Sequence, residues 1–309
     1  MADQELTVPA HLEGERLDKA VAALLGVSRA VARDLVDRGA LVDGHPASPS
    51  DRVGEGSVIT VAVPDPKAEL AAEEVSFGVL YEDGHLIVVD KPAGIVVHPG
   101  SGRLTGTLVA GLLNRYPELE GVGQKDRWGL VHRLDKDTSG VLVVARTQEA
   151  HDALSAMLRR REITRVYLTL VHGIPGSPTG TVDAPIARDP ATPLRRALHP
   201  EGKPARTHYR VLDTYPERGC SYLEVRLETG RTHQIRVHLS AIGHPVVGDT
   251  LYGPRRQRLG ADRIFLHAAR LSFTHPFTGD EVAVESPLPA DLTRVLSSLG
   301  PGAGPIPIA

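Results

Sequence analysis

Three polar segments of the chain stand at the ends of apolar runs and carry side chains able to do chemistry. The first, His132-Arg133-Leu134-Asp135-Lys136-Asp137-Thr138-Ser139-Gly140, directly precedes Val141-Leu142-Val143-Val144-Ala145. Five consecutive apolar residues predict a strand buried on both faces. Its polar entrance is therefore expected on a loop held by rigid core, where catalytic groups are commonly mounted. Asp135 or Asp137 would equally serve to cap a turn with the nearby Ser and Gly. In the second segment, Arg165-Val166-Tyr167-Leu168-Thr169-Leu170-Val171, strand alternation sends Val166, Leu168 and Leu170 to one face and Arg165, Tyr167 and Thr169 to the other. A ring beside a cation suits a nucleic-acid base and its phosphate, or a Tyr packed on a second layer. The third, Tyr222 to Leu227, also alternates and runs through Gly230 into Arg231-Thr232-His233-Gln234-Ile235-Arg236. A guanidinium fixed at Arg231, after a core strand, could pair with a carboxylate such as Asp135; a surface salt bridge is the plainer reading.

The elements that must position these groups follow from periodicity. Leu17, Ala20, Val21 and Leu24 recur at helical spacing up to Gly26, and Ser28 is expected to cap a second helix over 29–38 with Gly39 at its end. Asp43-Gly44 is a type I′ hairpin signal, and 58–61 reads as the returning strand. Pro64-Asp65-Pro66-Lys67 and the small or charged residues up to 74 have linker composition. Beyond them strands are expected at 86–89, 141–145, 166–171, 223–227 and 282–284, with helices at 148–160, capped by Thr147, and at 235–242. That order is no regular strand–helix alternation. It predicts an α+β fold: a mixed, largely antiparallel sheet in a catalytic domain over 75–298, behind a small α/β module over 14–63. Residues 1–13 are expected as an N-terminal tail, 64–74 as a linker, and the Pro- and Gly-rich 299–309 as a disordered tail.

Composition narrows the function classes. The chain has 309 residues, 41% hydrophobic and 24% charged, with no apolar run of membrane-spanning length. Nothing at its start reads as a secretory signal, and a single cysteine, Cys220, excludes a disulfide within the chain or a Cys-based zinc site, so a cytoplasmic location is expected. The net charge of −3 does not advertise a nucleic-acid binder, yet residues 155–236 carry fourteen Lys or Arg against eight Asp or Glu. His132-Arg133-Leu134-Asp135 is loosely like a kinase catalytic loop, but the companion kinase motifs are missing. His233 and His238, five apart, diverge on a helix or a strand, and no metal is expected.

In chain order, Asp90-Lys91-Pro92-Ala93-Gly94 with His98-Pro99, then 132–140, 165–171 and 227–238, resemble the signature motifs of the RluA-type pseudouridine synthases over about residues 75–287. Residues 14–63 resemble the small RNA-binding module that some of these enzymes share with a small-subunit ribosomal protein and tyrosyl-tRNA synthetases. Together they resemble the RluD-like subgroup, which modifies large-subunit ribosomal RNA. The resemblance implies a cofactor-free isomerase that converts uridine to pseudouridine in structured RNA. It makes Asp135 the catalytic aspartate, as nucleophile or as general base; Tyr167 the ring stacked on the uracil; Arg231 the partner of Asp135; and Leu227 a pocket wall. His132, Arg133, Arg165 and Arg236 are expected to contact substrate, and Arg29, Arg33 and Arg38 of the module to contact RNA. That module carries six basic residues against seven acidic ones, so any affinity must come from one face. A tRNA synthase and a non-catalytic ribosome-assembly factor are the alternatives, and a monomer is the favoured state.

Overall fold

The computed structural model describes residues 2–27, 29–63, 70–99, 105–190, 192, 195–254 and 259–306. It divides into two compact units, Met1–Val75 with His98–Arg115, and Ser76–Val97 with Tyr116–Ala309.

In the first unit, β1 (Ala2–Thr7) leads to α1 (Leu17–Leu25) and α2 (Arg29–Asp37), then β2 (Leu41–Val42), β3 (His45–Pro46) and β4 (Val58–Val63), with α3 (Leu108–Arg115) from the later segment. Gly26 ends α1 in the left-handed region, its N–H returning to the Ala22 carbonyl. Asp43 and Gly44 both take positive φ, 50° and 79°, so the β2–β3 hairpin has the expected primed turn. The sheet order is β1-β4-β2-β3, and Leu17, Ala20, Val21, Ala32, Val36, Ile59 and Val61 pack as its core. Ser28 and 64–69 lie outside the described residues. Two expectations need correction. Residues 2–7 are not a loose tail but pair along their length with β4. An edge strand needs only its backbone groups, and Asp3, Gln4 and Glu5 stay exposed, so composition conceals it. Nor is the end of the expected linker featureless: Glu73 donates its N–H to the Ala110 carbonyl and accepts the Gly106 N–H.

The second unit is built on one nine-stranded sheet. Its strands are β5 (Gly78–Glu82), β6 (Leu86–Lys91), β7 (Ser139–Ala145), β8 (Thr164–His172), β9 (Thr179–Asp183), β12 (Arg206–Tyr215), β13 (Cys220–Leu227), β14 (Leu266–Thr274) and β15 (Glu281–Glu285). The short pair β10 (Ile186–Arg188) and β11 (Arg196–Leu198) stands apart, and α4 (Gln148–Arg160), α5 (Gln234–Ala241) and α6 (Ala290–Ser298) complete the unit. The order is β5-β6-β7-β14-β8-β13-β12-β9, with β15 on β14. Every pairing is antiparallel except β7 with β14, which makes the class α+β. Strand β7 is buried at every residue, as its apolar run predicts. Gly140 is required there: its φ is +112°, and a Cβ would stand 2.1 Å from the Ala268 carbonyl oxygen, so only glycine lets β7 and β14 approach.

Register brings the three polar segments to one place. Ser139 at the start of β7 pairs with His267 of β14. Ala268 pairs with Tyr167, and Val225 near the end of β13 pairs with Tyr167 from the other side. The loop before β7, the first half of β8 and the loop after β13 therefore meet. The expected disordered tail also needs correction. The Ala303 N–H bonds to the Thr214 carbonyl and the Gly304 N–H to the Asp213 carboxylate, both at 2.8 Å, so backbone bonds that composition does not register hold this stretch on β12. Residues 307–309 lie outside the described part.

Candidate active site

The loop 132–138 is held from beneath by Lys91. This lysine is fully buried, and its ammonium donates to the carbonyls of Pro92, Ile95 and Lys136 at 2.8, 2.9 and 3.0 Å. The Gly94 N–H adds a second bond to the Lys136 carbonyl. The leading motif thus anchors the backbone one residue past Asp135. Burial pushes the Lys91 ammonium down to about 8, against ~10.4 in an unfolded chain. Between these values the unfolded chain binds the extra proton, so this group's contribution to stability rises with pH over that window. Lys91→Met is expected to lose about 3 kcal/mol through its orphaned carbonyls and, in chemical denaturation from pH 7 to 10, to lose that upward slope; an unchanged slope would remove the titration from Lys91.

Asp135 closes a turn through its carbonyl, which accepts the Thr138 N–H at 3.2 Å, and presents its carboxylate to a cleft of about 530 Å³. Its partner is not Arg231. The Arg236 Nη1 donates to Asp135 Oδ2 at 3.0 Å, whereas Arg231, exposed, turns its Nε to the Pro204 carbonyl. The reason is helical direction: Arg236 lies in the first turn of α5, where side chains lean back toward the helix start, while Arg231 lies in the loop before it. The other edge of Arg236 is a bidentate pair with Asp249, at 2.7 and 3.0 Å. The Asp249 side chain has no exposed surface, and it also accepts the N–H groups of Leu251 and Tyr252. Burial opposes the charge on Arg236, but hydrogen bonds and attraction from Asp249 and Asp135 outweigh it and raise its pKa. Asp135 therefore has a permanent counter-ion whose own orientation is locked.

His233 was not singled out by sequence as a site residue, yet it is adjacent. Its backbone is left-handed, φ 59°, uncommon for a residue with a side chain. Its Nε2 lies 3.9 Å from Asp135 Oδ2, and its Nδ1 is 2.9 Å from the Tyr252 hydroxyl. That hydroxyl also accepts the Arg196 N–H at 2.7 Å, so the imidazole is held in place beside Asp135. Burial lowers the His233 pKa despite the attraction of Asp135. The Tyr252 ring also carries the guanidinium of Arg236 at 5.1 Å from its centroid. Gln234, likewise missed, bonds the Thr229 hydroxyl, the Arg231 N–H, the Arg206 carbonyl and the Thr207 hydroxyl, and so sets the loop that delivers α5. Positive φ and buried polar contacts mark these residues, and neither is visible in composition.

The remaining expected residues line the same cleft. Arg165 and Tyr167 are both buried on β8, and burial raises the Tyr167 phenol. Leu227 ends β13 as a buried wall, and Arg133 is exposed at the rim. His132 accepts the Val143 N–H at Nε2, 3.2 Å; burial, with the charge of Arg165, pushes it down to about 3, so the ring is neutral and braces β7 as well as lining the cleft. In the first unit, Arg29 pairs with buried Asp18 at 3.1 Å, Arg33 with Asp37 at 3.7 Å and Arg38 with Asp34 at 2.6 Å. Those three arginines are exposed but each already faces an acid.

The model of the RNA pseudouridylate synthase family matches residues 85–241, which hold Asp135, Tyr167 and Arg236. The chain belongs to this family. An S4 domain matches residues 15–59 of the same synthase. Among relatives, an uncharacterized RNA pseudouridine synthase of Chloroflexus aurantiacus is 49% identical over 300 residues, 96% of this chain and 94% of that one. The ribosomal large subunit pseudouridine synthase D of Nitrosomonas europaea is 45% identical, covering 96% and 87%. Among solved structures, human RNA pseudouridylate synthase domain containing 1 shares 28% identity with a TM-score of 0.55, over 75% of this synthase and 97% of that chain. Among the described residues of the synthase, no helix is long and apolar enough to cross a membrane.

Proposed function

We propose that this synthase isomerises specific uridines of large-subunit ribosomal RNA to pseudouridine, with Asp135 as the carboxylate that acts on the ribose. The observation that carries the reading is Asp135, locked by Arg236 and Asp249, at a cleft that also holds Tyr167 and Leu227. With Oδ2 engaged by Arg236, Oδ1 accepts no hydrogen bond among the described residues and is available to the sugar. A target uridine must leave its stack, which costs a few kcal/mol, least in loops; stacking on an aromatic ring returns ~1–3 kcal/mol per base. Tyr167 supplies that ring, and exposed Arg133, Arg159, Arg161 and Arg231 at the cleft supply phosphate contacts.

The choice of large-subunit RNA rests on relatives named for that substrate at 43–45% identity over most of the chain, together with the S4 match. The module over 14–63 is then the RNA-docking part and 75–298 the catalytic part, acting on ribosomal RNA during assembly. A reducing cytoplasm suits the single buried cysteine. The test is to map pseudouridines in total RNA from a strain lacking the protein. Sites are expected to vanish from large-subunit RNA and return on complementation; losses confined to tRNA would reassign the substrate.

A further inference from the structure

Arg165 is only 6% exposed, yet its charge has no carboxylate partner among the described residues. Its Nη2 makes one long bond, 3.3 Å, to the Glu228 carbonyl, and its Nε is buried with no hydrogen-bond partner. The Glu228 carboxylate is committed elsewhere, to Arg161, Arg206 and His208. The acid-forming group that acts on it electrostatically is the Tyr167 phenol, and burial raises that phenol and keeps it protonated. Taking a guanidinium from water without a counter-charge costs several kcal/mol. A fold retains such a group where a ligand brings the missing charge.

Which part of the substrate brings it follows from position. Phosphates remain on the backbone at the rim, within reach of the exposed arginines named above. The everted base goes deepest. Arg165 and Tyr167 share a face of β8 two residues apart, about 6.6 Å along the strand, so a base seated on Tyr167 brings an edge to the Arg165 guanidinium. We propose that Arg165 is a catalytic residue that stabilises the negative charge developing on uracil as its bond to the sugar breaks. This deepens the isomerase reading and rests on it.

When the N1–C1′ bond breaks, its electron pair stays on the base, spread over N1, O2 and O4. C1′ is satisfied by Asp135, either through a bond from the carboxylate or through removal of the C2′ proton to give a C1′–C2′ double bond. The base then turns and C5 bonds to C1′. The ring pair forms that bond, Asp135 departs or C2′ recovers its proton, and the C5 proton is released to water while N1 takes up a proton from water. No oxidant or co-reactant is needed. Between the two bonds the base is an anion in a partly dry site, where a preorganised cation is most effective.

The test uses a short synthetic RNA bearing a site that the wild-type protein modifies, with either uridine or 6-hydroxyuridine at the target. The latter is ionised at neutral pH and carries its charge on the ring. Binding is measured in an Asp135→Asn background, which prevents turnover, with Arg165 intact or as Arg165→Met or Arg165→Gln. With Arg165 intact, the charged analogue is expected to bind at least about tenfold tighter than uridine RNA. Both variants are expected to lose that preference while keeping uridine-RNA affinity within about threefold. With Asp135 intact they are expected to lose about 10² to 10³ in kcat at little change in KM. Arg165→Met removes an uncompensated buried charge and is expected to unfold at a temperature no lower than wild type. If both RNAs weaken alike and the salt slope of binding falls by about one, Arg165 is a phosphate contact and the proposal is wrong; it is equally wrong if the preference survives. Failure of the isomerase reading shows separately, as wild-type protein that modifies no RNA.

Discussion

Asp135→Asn is expected to end tritium release from C5 of target uridines, with a loss of at least about 10³-fold, whether the carboxylate serves as base or as nucleophile. The amide keeps the shape of the carboxylate and an oxygen to accept the 3.0 Å bond from Arg236, but it can neither take a proton nor bond to C1′ usefully. RNA affinity is expected to stay within about threefold, because Asp135 contributes no positive charge to phosphate binding. Stability is expected to fall by roughly 1 kcal/mol or less, since the carboxylate retains some exposure. Label release at the wild-type rate would take Asp135 out of the chemistry.

The second large effect separates two arginines five residues apart. Arg236→Met leaves Asp249 as a fully buried carboxylate whose remaining donors are the Leu251 and Tyr252 N–H groups. Breaking a buried pair on one side costs about 3–5 kcal/mol, and losing the counter-ion of Asp135 is expected to lower kcat by at least about 10²-fold. Arg231→Met loses one bond to a carbonyl at an exposed position and is expected to change stability by less than about 0.5 kcal/mol and kcat only a few-fold. The double variant Arg236→Met/Asp249→Leu is expected to recover most of the stability and none of the activity, because an apolar pair can replace a buried ion pair in packing but not in electrostatics. Denaturant unfolding and label release on the four proteins decide it. Equal losses in Arg231→Met and Arg236→Met would contradict the partner assignment.

How far residue pattern reached can be read from particular elements. The I′ turn at Asp43-Gly44, the glycine stop at Gly26, the Thr147 cap and the buried strand β7 all depend on local chemistry, and each stands where spacing placed it. The alternation of β8 correctly put Arg165 and Tyr167 on one face, but that face is buried like the other, in a strand that lies inside a nine-stranded sheet. Strand β1 was missed because an edge strand can be polar throughout. The tail was misread because its anchors are backbone groups meeting Asp213 and Thr214, about ninety residues earlier in the chain.

By itself the sequence determined which segments carry chemistry, that Asp135 stands at the mouth of a buried strand, and which family these motifs resemble, since all of these reside in residue type and short-range order. Only the tertiary structure decided which guanidinium meets Asp135, that Asp249 holds it, that His233 is turned in through a left-handed backbone, and that Arg165 is buried without a counter-charge. Those outcomes depend on where strands pair and where a helix begins relative to a loop some hundred residues away, and contacts of that range leave no period or spacing along one chain.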